Sequence, residues 1–335
     1  MPPVKAEQQE TPSVTLSNGV KMPCFGFGCA FGDWSSDNKK KAGLTPEDAW
    51  TAVPKAFRAG IRHLDTAYVY RTHRQIGTSL GLALRDGLLN DRSEVFITTK
   101  VCHPPVPALF GKTFDLVAEA EHDLVAIKKL TRTHILNSLE ELGVGWVDML
   151  LVHWPGDFGS DPSSQADKDK NRAYRKVVWE AFEEAYEAGM ARAIGVSNFT
   201  EEMLADLEAD GAKVVPHNNQ IEVSPYTQYT KILDYCKAKN IVVSAYSPLG
   251  STAGGVIKDP VLLALGEKYN KNAGQIALKW LVQQGMVALP RSSSEKRIAS
   301  NMDVFDFEIS PEDMAKISSL NKGKTFTNAN PYDIA

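Results

Sequence analysis

The segment "HLDTAYVYRTHRQIG", residues 63 to 77, places an acid, Asp65, five residues before a tyrosine, Tyr70. A lysine, Lys100, closes "FITTK", and a histidine, His153, stands in "LLVHW". A phenol with an unperturbed pKa of about 10 is a weak acid at neutral pH, and an ammonium beside it favours the phenolate and brings it toward the working range. Lys100 supplies such an ammonium, Asp65 a carboxylate to keep it charged, and a neutral imidazole at His153 can hydrogen-bond and orient a carbonyl oxygen. The four suit protonating an oxyanion while another group adds to the carbon.

Residues this far apart meet only if the fold gathers them. Short β-type runs, "FGFGC", "IRHLDTA", "EVFITTKV", "VDMLLVHW", "ARAIGVSN", "VVPHNNQIEV", "NIVVSAYSPL" and "GMVALPR", alternate with amphipathic segments. Eight mostly apolar strands, each followed by a helix, predict a closed parallel (β/α)₈ TIM barrel rather than an open doubly wound sheet. Function then belongs at the C-terminal ends of the strands, where Asp65, Lys100 and His153 close the second, third and fourth. Ahead of the barrel, Asn18-Gly19 between alternating apolar residues predicts a hairpin with a type I′ turn.

The helices carry their own punctuation. Thr45-Pro46 and Ser310-Pro311 each set an N-cap residue before a proline at the first helical position. In "YRKVVWEAFEEAYEAG", Val177, Val178, Ala181, Phe182 and Tyr186 share one buried face, and Gly189 ends the helix. Pro54, inside a helix expected over residues 46 to 59, predicts a kink or a late start. Two long irregular inserts, residues 102 to 129 and "PGDFGSDPSSQADKDKNR", leave from the functional end and are placed to wall the site. The chain reads as one domain over residues 1 to 335, the first 13 forming a flexible segment.

Composition excludes several function classes. With 37 basic residues against 41 acidic, net charge −4, no global field draws nucleic acid or an anionic membrane. No signal-peptide pattern and no run near the roughly 18 apolar residues of a membrane helix occurs, so a cytoplasmic location is expected. Cys24, Cys29, Cys102 and Cys236 lack metal-site or disulfide spacing and read as free thiols. A small-molecule partner is the expectation, with no metal.

These motifs, taken as a set from about Leu16 to Leu320, resemble the aldo-keto reductase family. The resemblance implies reduction of aldehydes and ketones by NADPH/NADP+ chemistry on a (β/α)₈ barrel. It carries over Asp65 from "LDTA", Tyr70 as proton donor, Lys100 from "TTK" and His153 from "VHWP" as a catalytic tetrad. "IGVSNF" and "NNQIEV" match the carboxamide clamp, implying Ser197, Asn198 and Gln220. "AYSPLGS" implies Tyr246 stacking on the nicotinamide, with Ser247 in the same cofactor segment and Leu249 and Ser251 approaching the pyrophosphate. "LPRSSSEKRIASN" implies Arg291, Ser292 and Arg297 around a 2′-phosphate and Asn301 at the adenine. Paired guanidiniums suit a phosphate, so NADPH is favoured over NADH.

Departures from the family pattern bear on the substrate. Ala30 and Cys102 stand where aromatic pocket walls are usual, with Phe31 and Trp154 as partial replacements and Tyr68 as a pocket or packing residue. His73 replaces part of the usual "NE" and reads as a surface histidine opening the next helix. A short tail after Leu320 favours polar or sugar-like carbonyls: aldoses, uronates and similar molecules. The acid that often belts the pyrophosphate is missing near Ala253 and Gly254, which predicts fast cofactor release.

Two decoys fail on context. "GFGCAFG" follows a hairpin with the wrong glycine spacing for a dinucleotide loop, and Tyr235 with Lys239 sits on a helix without a glycine-rich N-terminus. The reading is an NADPH-dependent carbonyl reductase, a monomer or weak dimer as the resemblance implies. A Schiff-base lyase using Lys100 and a non-catalytic NADPH-binding redox sensor are the alternatives.

Overall fold

Chemistry at one rim needs the other end of the barrel closed, and the first strands do this. In the computed structural model, which describes residues 11–31, 45, 47–101, 123–157, 159–250, 255–327 and 330–335, β1 (Ser13–Thr15) pairs antiparallel with β2 (Lys21–Pro23). Leu16 and Met22 of this hairpin are buried with Phe96, Met149, Leu151, Ala193, Val287 and Leu289, an apolar plug at the barrel floor. The predicted hairpin forms, but its turn is not type I′. Leu16 N donates to Val20 O, which leaves a three-residue loop, and among its residues only Gly19 has positive φ, at 86°. A type I turn with a glycine in the left-handed region fits that length. Asn18 is used instead as a tie, its amide donating to Arg192 O at 3.0 Å.

The eight barrel strands follow in sequence order: β3 (Phe27–Gly28), β4 (His63–Asp65), β5 (Phe96–Val101), β6 (Met149–Val152), β7 (Ile194–Ser197), β8 (Asn218–Glu222), β9 (Val242–Tyr246) and β10 (Val287–Leu289). Every neighbouring pair is parallel, as the alternation of strand and helix predicts. Closure comes from the lead-in to β3. Phe25 bridges Ala288, Gly26 N donates to Ala288 O and Ala288 N to Cys24 O, both at 2.9 Å. Gly26 is required here, because a Cβ would lie 2.7 Å from both the buried His63 ring and Leu289.

Outside run α1 (Asp48–Arg58), α2 (His73–Arg85), α3 (Leu124–Leu142), α4 (Gln165–Glu187), α5 (Glu201–Ala209), α6 (Thr230–Ala238), α7 (Pro260–Tyr269), α8 (Ala273–Val282), α9 (Glu295–Met302) and α10 (Pro311–Ser318). Ser310 caps α10 as its sequence predicts, accepting from Asp313 N. At α1 Thr45 is not the cap: the helix starts late, at Asp48 behind Glu47, with Pro54 still inside, and Asp48 Oδ2 takes the Thr45 N–H at 2.6 Å. Of the predicted α4 face, Val178, Ala181 and Phe182 are buried and Val177 and Tyr186 half-buried.

Both inserts end earlier than expected. Asp123 caps α3 through Val125 N and Ala126 N, so residues 124–129 are helical, while residues 102–122 lie outside the described residues. Ser164 caps α4, whose polar opening turns, "QADKDKNR", carry no apolar periodicity to announce them. Among the described residues no helix is long and apolar enough to cross a membrane, and Cys24, Cys29 and Cys236 are buried free thiols.

Candidate active site

Three strand ends and one tight turn bring the tetrad together. Asp65 ends β4 and Lys100 lies on β5, and parallel pairing sets them on the same rim. Lys100 is fully buried. Its Nζ donates to Asp65 Oδ1 at 2.7 Å and to Thr66 O at 2.9 Å. Burying this ammonium costs several kcal/mol unless a partner compensates, and Asp65 is that partner. The second carboxylate oxygen, Oδ2, accepts from Gln220 Nε2 at 2.7 Å.

Tyr70 ends a 3₁₀ turn, Tyr68–Tyr70, that follows β4. Thr66 and Thr72 join hydroxyls at 3.0 Å beneath it, and Thr72 also donates to Cys29 O, so the turn is anchored from both ends. Lys100 Nζ lies 5.1 Å from the centroid of the Tyr70 ring, and the His153 ring meets Tyr70 edge-on at 5.6 Å. Burial, and after it the charge of Lys100, holds His153 well below its ordinary pKa, so it is a neutral hydrogen-bonding group at pH 7. A lysine buried and bonded in this way is not available as a Schiff-base nucleophile.

The residues expected at the nicotinamide end form one bonded chain. Ser197 Oγ donates to Gln220 O at 2.7 Å, Asn198 Nδ2 to His153 O at 3.1 Å, and Tyr246 Oη to Asn198 Oδ1 at 2.9 Å. Burial and then Glu222 hold the Tyr246 phenol well above its usual value, so it stays a donor. Asn198 and Ser247, each just past a strand end, have φ of 64° and 50°, left-handed positions that cost a non-glycine residue about 1 kcal/mol or more.

At the adenosine end, Arg297 Nε donates to the buried Ser292 Oγ at 3.3 Å, and Asn301 lines a small cleft with Pro290, Ser292 and Ile298. Leu249 is half-buried just past β9, while Ser251, Ala253 and Gly254 lie outside the described residues, as does Cys102.

One sequence expectation changes, that for His73, while Tyr68, Phe31 and Trp154 are each packed against named neighbours. Tyr68 stacks on His134 of α3 at 4.8 Å and accepts from Asn137 Nδ2 at 3.5 Å, contacts that match the packing half of its expectation. Phe31 is fully buried, with Arg291 5.8 Å over its ring, while Trp154 stacks on His153 at 6.3 Å and is 5% exposed. His73 is not on the surface: it is fully buried, bonded to Thr99 Oγ1 at 2.9 Å, with Glu141 3.4 Å from Nδ1. Its place on the stripe of His73, Ile76, Leu80 and Ala83 was the available signal.

Two contributors were missed altogether. Glu222, fully buried at the end of β8, accepts from Phe326 N at 2.7 Å and from the Thr327 hydroxyl at 2.5 Å, fastening the returning tail to the rim. Lys55 of α1 reaches the Ser293 carbonyl at 3.2 Å. Neither pairing has a sequence signature, since each joins elements far apart in the chain.

The family model for the "Aldo/keto reductase family" matches residues 29–322. The chain belongs to the aldo-keto reductase family. The D-galacturonate reductase of Fragaria ananassa is 36% identical over 97% of both chains, and the glyoxal reductase of Bacillus subtilis 36% identical over 92% of this chain and 93% of its own. A crystal structure of a Bombyx mori aldo-keto reductase in complex with NADP, 28% identical, superposes with a TM-score of 0.76 over 97% of this chain and 99% of that one. This aldo-keto reductase is an oxidoreductase acting on carbonyl and CH–OH groups with NADP(H). The non-catalytic alternative is not favoured: its relatives carry the names of working reductases, and its four tetrad residues meet.

Proposed function

We propose that this aldo-keto reductase reduces small polar aldehydes and ketones, uronates, aldoses and related dicarbonyls among them, with Tyr70 as proton donor. The observation that carries the reading is the buried Asp65–Lys100 pair set under the Tyr70 ring. Relatives named for galacturonate and glyoxal support a polar substrate.

The donors present fit a nicotinamide dinucleotide phosphate. Amides of Asn198 and Gln220 stand at the tetrad end, and at the other Arg297 bonds the buried Ser292 hydroxyl while Arg291, one residue before it, bonds Ala30 O. When bound, NADPH supplies a hydride from nicotinamide C4 to the carbonyl carbon. Gln220 Nε2 is committed to Asp65, so Oε1 is the atom with which this amide would accept from a carboxamide N–H.

Tyr70 gives its phenolic proton to the oxygen that gains charge, and Lys100 stabilises the phenolate left behind. Asp65 keeps Lys100 charged in its buried position. Neutral His153 donates an N–H to the same carbonyl oxygen and so fixes its orientation. Solvent then returns a proton to Tyr70. The reading includes a monomer or weak dimer in the cytoplasm with no macromolecular partner, which sedimentation of the purified chain checks.

The Tyr70→Phe variant tests the assignment. Turnover of a polar carbonyl should fall by about 10²–10⁴-fold while NADPH still binds; turnover near wild type would reject Tyr70 as the acid.

A further inference from the structure

Cations on the last helices are matched with anions almost one for one. Lys268 meets Asp313 at 2.5 Å, Lys271 meets Asp303 and Asp306 at 2.8 Å, and Lys279 meets Glu308 at 2.8 Å. The loop after β10 is different. Among the described residues, no carboxylate lies within 4 Å of Arg291, Arg297 or Lys55.

Lys55 is the unexpected member of this group. It sits on α1, yet its Nζ crosses to α9's entry loop and donates to Ser293 O at 3.2 Å. One residue away, Arg297 Nε donates to Ser292 Oγ, and Ser294 caps α9 through Arg297 N. Asp48 of α1 offsets Arg291 in part from beyond 4 Å, but a cluster of positive charges drawn from two helices and a strand end still repels itself unless a further anion compensates it. The bonds the three cations do make are to neutral oxygens, in the case of Arg291 to Ala30 O at 2.7 Å.

We infer that Lys55 is a third cation for the 2′-phosphate of NADPH, reaching it from α1 rather than from the β10 loop, and that it sets part of the preference for NADPH over NADH. This rests on the reading of residues 291–301 as the adenosine end of the cofactor site. The two arginines recognise phosphate oxygens by paired N–H groups, whereas an ammonium acts as a movable point charge. Lys55 therefore adds attraction without fixing geometry, and its loss should be felt by the phosphate alone.

The test uses the full chain and binding rather than turnover. Intrinsic tryptophan fluorescence is titrated with NADP+, NAD+, 2′,5′-ADP and 5′-ADP for wild type, Lys55→Met, Lys55→Gln and Arg297→Met, each first shown to melt like wild type without ligand. Lys55→Gln keeps a donor for Ser293 O and loses the charge. Both Lys55 variants should bind NADP+ and 2′,5′-ADP about tenfold more weakly, with NAD+ and 5′-ADP unchanged within about twofold.

Wild-type NADP+ affinity in Lys55→Gln overturns the inference, since it makes Lys55 a support for the loop. Equal losses for NADP+ and NAD+ overturn it as well. If Arg297→Met also binds NADP+ normally, it is the placement of the adenosine end that fails, and the two failures are thereby told apart.

Discussion

Gln220 Nε2 donates to Asp65 Oδ2 at 2.7 Å, so an amide expected to hold cofactor is also a strut of the buried Asp65–Lys100 pair. Asp65 stands between two donors, Lys100 on one oxygen and Gln220 on the other. Hydrogen bonds to a carboxylate contribute about 1.5–3 kcal/mol each. The Gln220→Leu variant should lower kcat by about tenfold or more and the cofactor-free Tm by about 2–4 °C. A raised KM for cofactor with kcat unchanged would show that Gln220 serves the cofactor alone.

Histidines set the acid limit of stability. His63, His73, His134, His153 and His217 all have pKa values lowered in the folded state, in each case chiefly by burial, and His63 and His134 fall to about 4. The unfolded chain protonates these rings near pH 6.5 while the folded chain does not, so the unfolded state gains protons first. Stability is then full above about pH 6.5 and falls as pH drops toward 4. Asp148 and Glu222, whose carboxyls burial raises, act in the opposite direction at the lower end. Urea unfolding at pH 7.5 and pH 5.5 spans the range in which the unfolded histidines charge, and the expected loss is about 2 kcal/mol or more; equal stability at the two pH values would contradict the burial argument.

The tail depends on Glu222. Its carboxylate accepts from Phe326 N at 2.7 Å and from Thr327 N at 3.3 Å as well as from the Thr327 hydroxyl. A glutamine has one acceptor oxygen and no charge, so Glu222→Gln should release residues 322–327. Limited proteolysis should then cut that segment about tenfold faster, while cuts elsewhere stay at the wild-type rate. Unchanged cleavage would mean that Phe326, stacked with Tyr226 at 6.3 Å, holds the tail without the carboxylate.

The barrel seam should be intolerant of one methyl group. At Gly26 an added Cβ meets a rigid, buried imidazole and a leucine that already fills the floor. Gly26→Ala should cost about 1–3 kcal/mol, read as a lower urea midpoint with an unchanged slope. A wild-type midpoint would show that the seam can open without loss.

The barrel and the tetrad were legible because each had a periodic or local signal. All eight strands lie within the apolar runs that predict them, and Asp65, Lys100 and His153 sit at strand ends with Tyr70 on the turn that follows β4. What escaped was either local detail with two solutions or contact between distant elements. The Asn18-Gly19 pair fits two turn types, and loop length decided between them. His73 reads as polar and exposed until its helix phase is compared with Ile76 and Leu80. The start of α4 was hidden by a charged first half. Lys55 and Glu222 act across the fold, which no spacing along the chain reveals.

The seam between Cys24–Gly28 and Ala288–Pro290 also constrains how the protein is made. Its two sides lie near opposite ends of the sequence, so a chain growing on the ribosome holds β3 long before its partner exists. For most of synthesis the sheet is open, with unpaired edges that invite other chains. The waiting edge on the N-terminal side is brief: β3 has two residues, little backbone to template a neighbour, whereas β9, the other edge until β10 is made, has five. A two-residue strand at the joint leaves little backbone for another chain to pair with before β10 arrives, at the expense of a closure held by few hydrogen bonds.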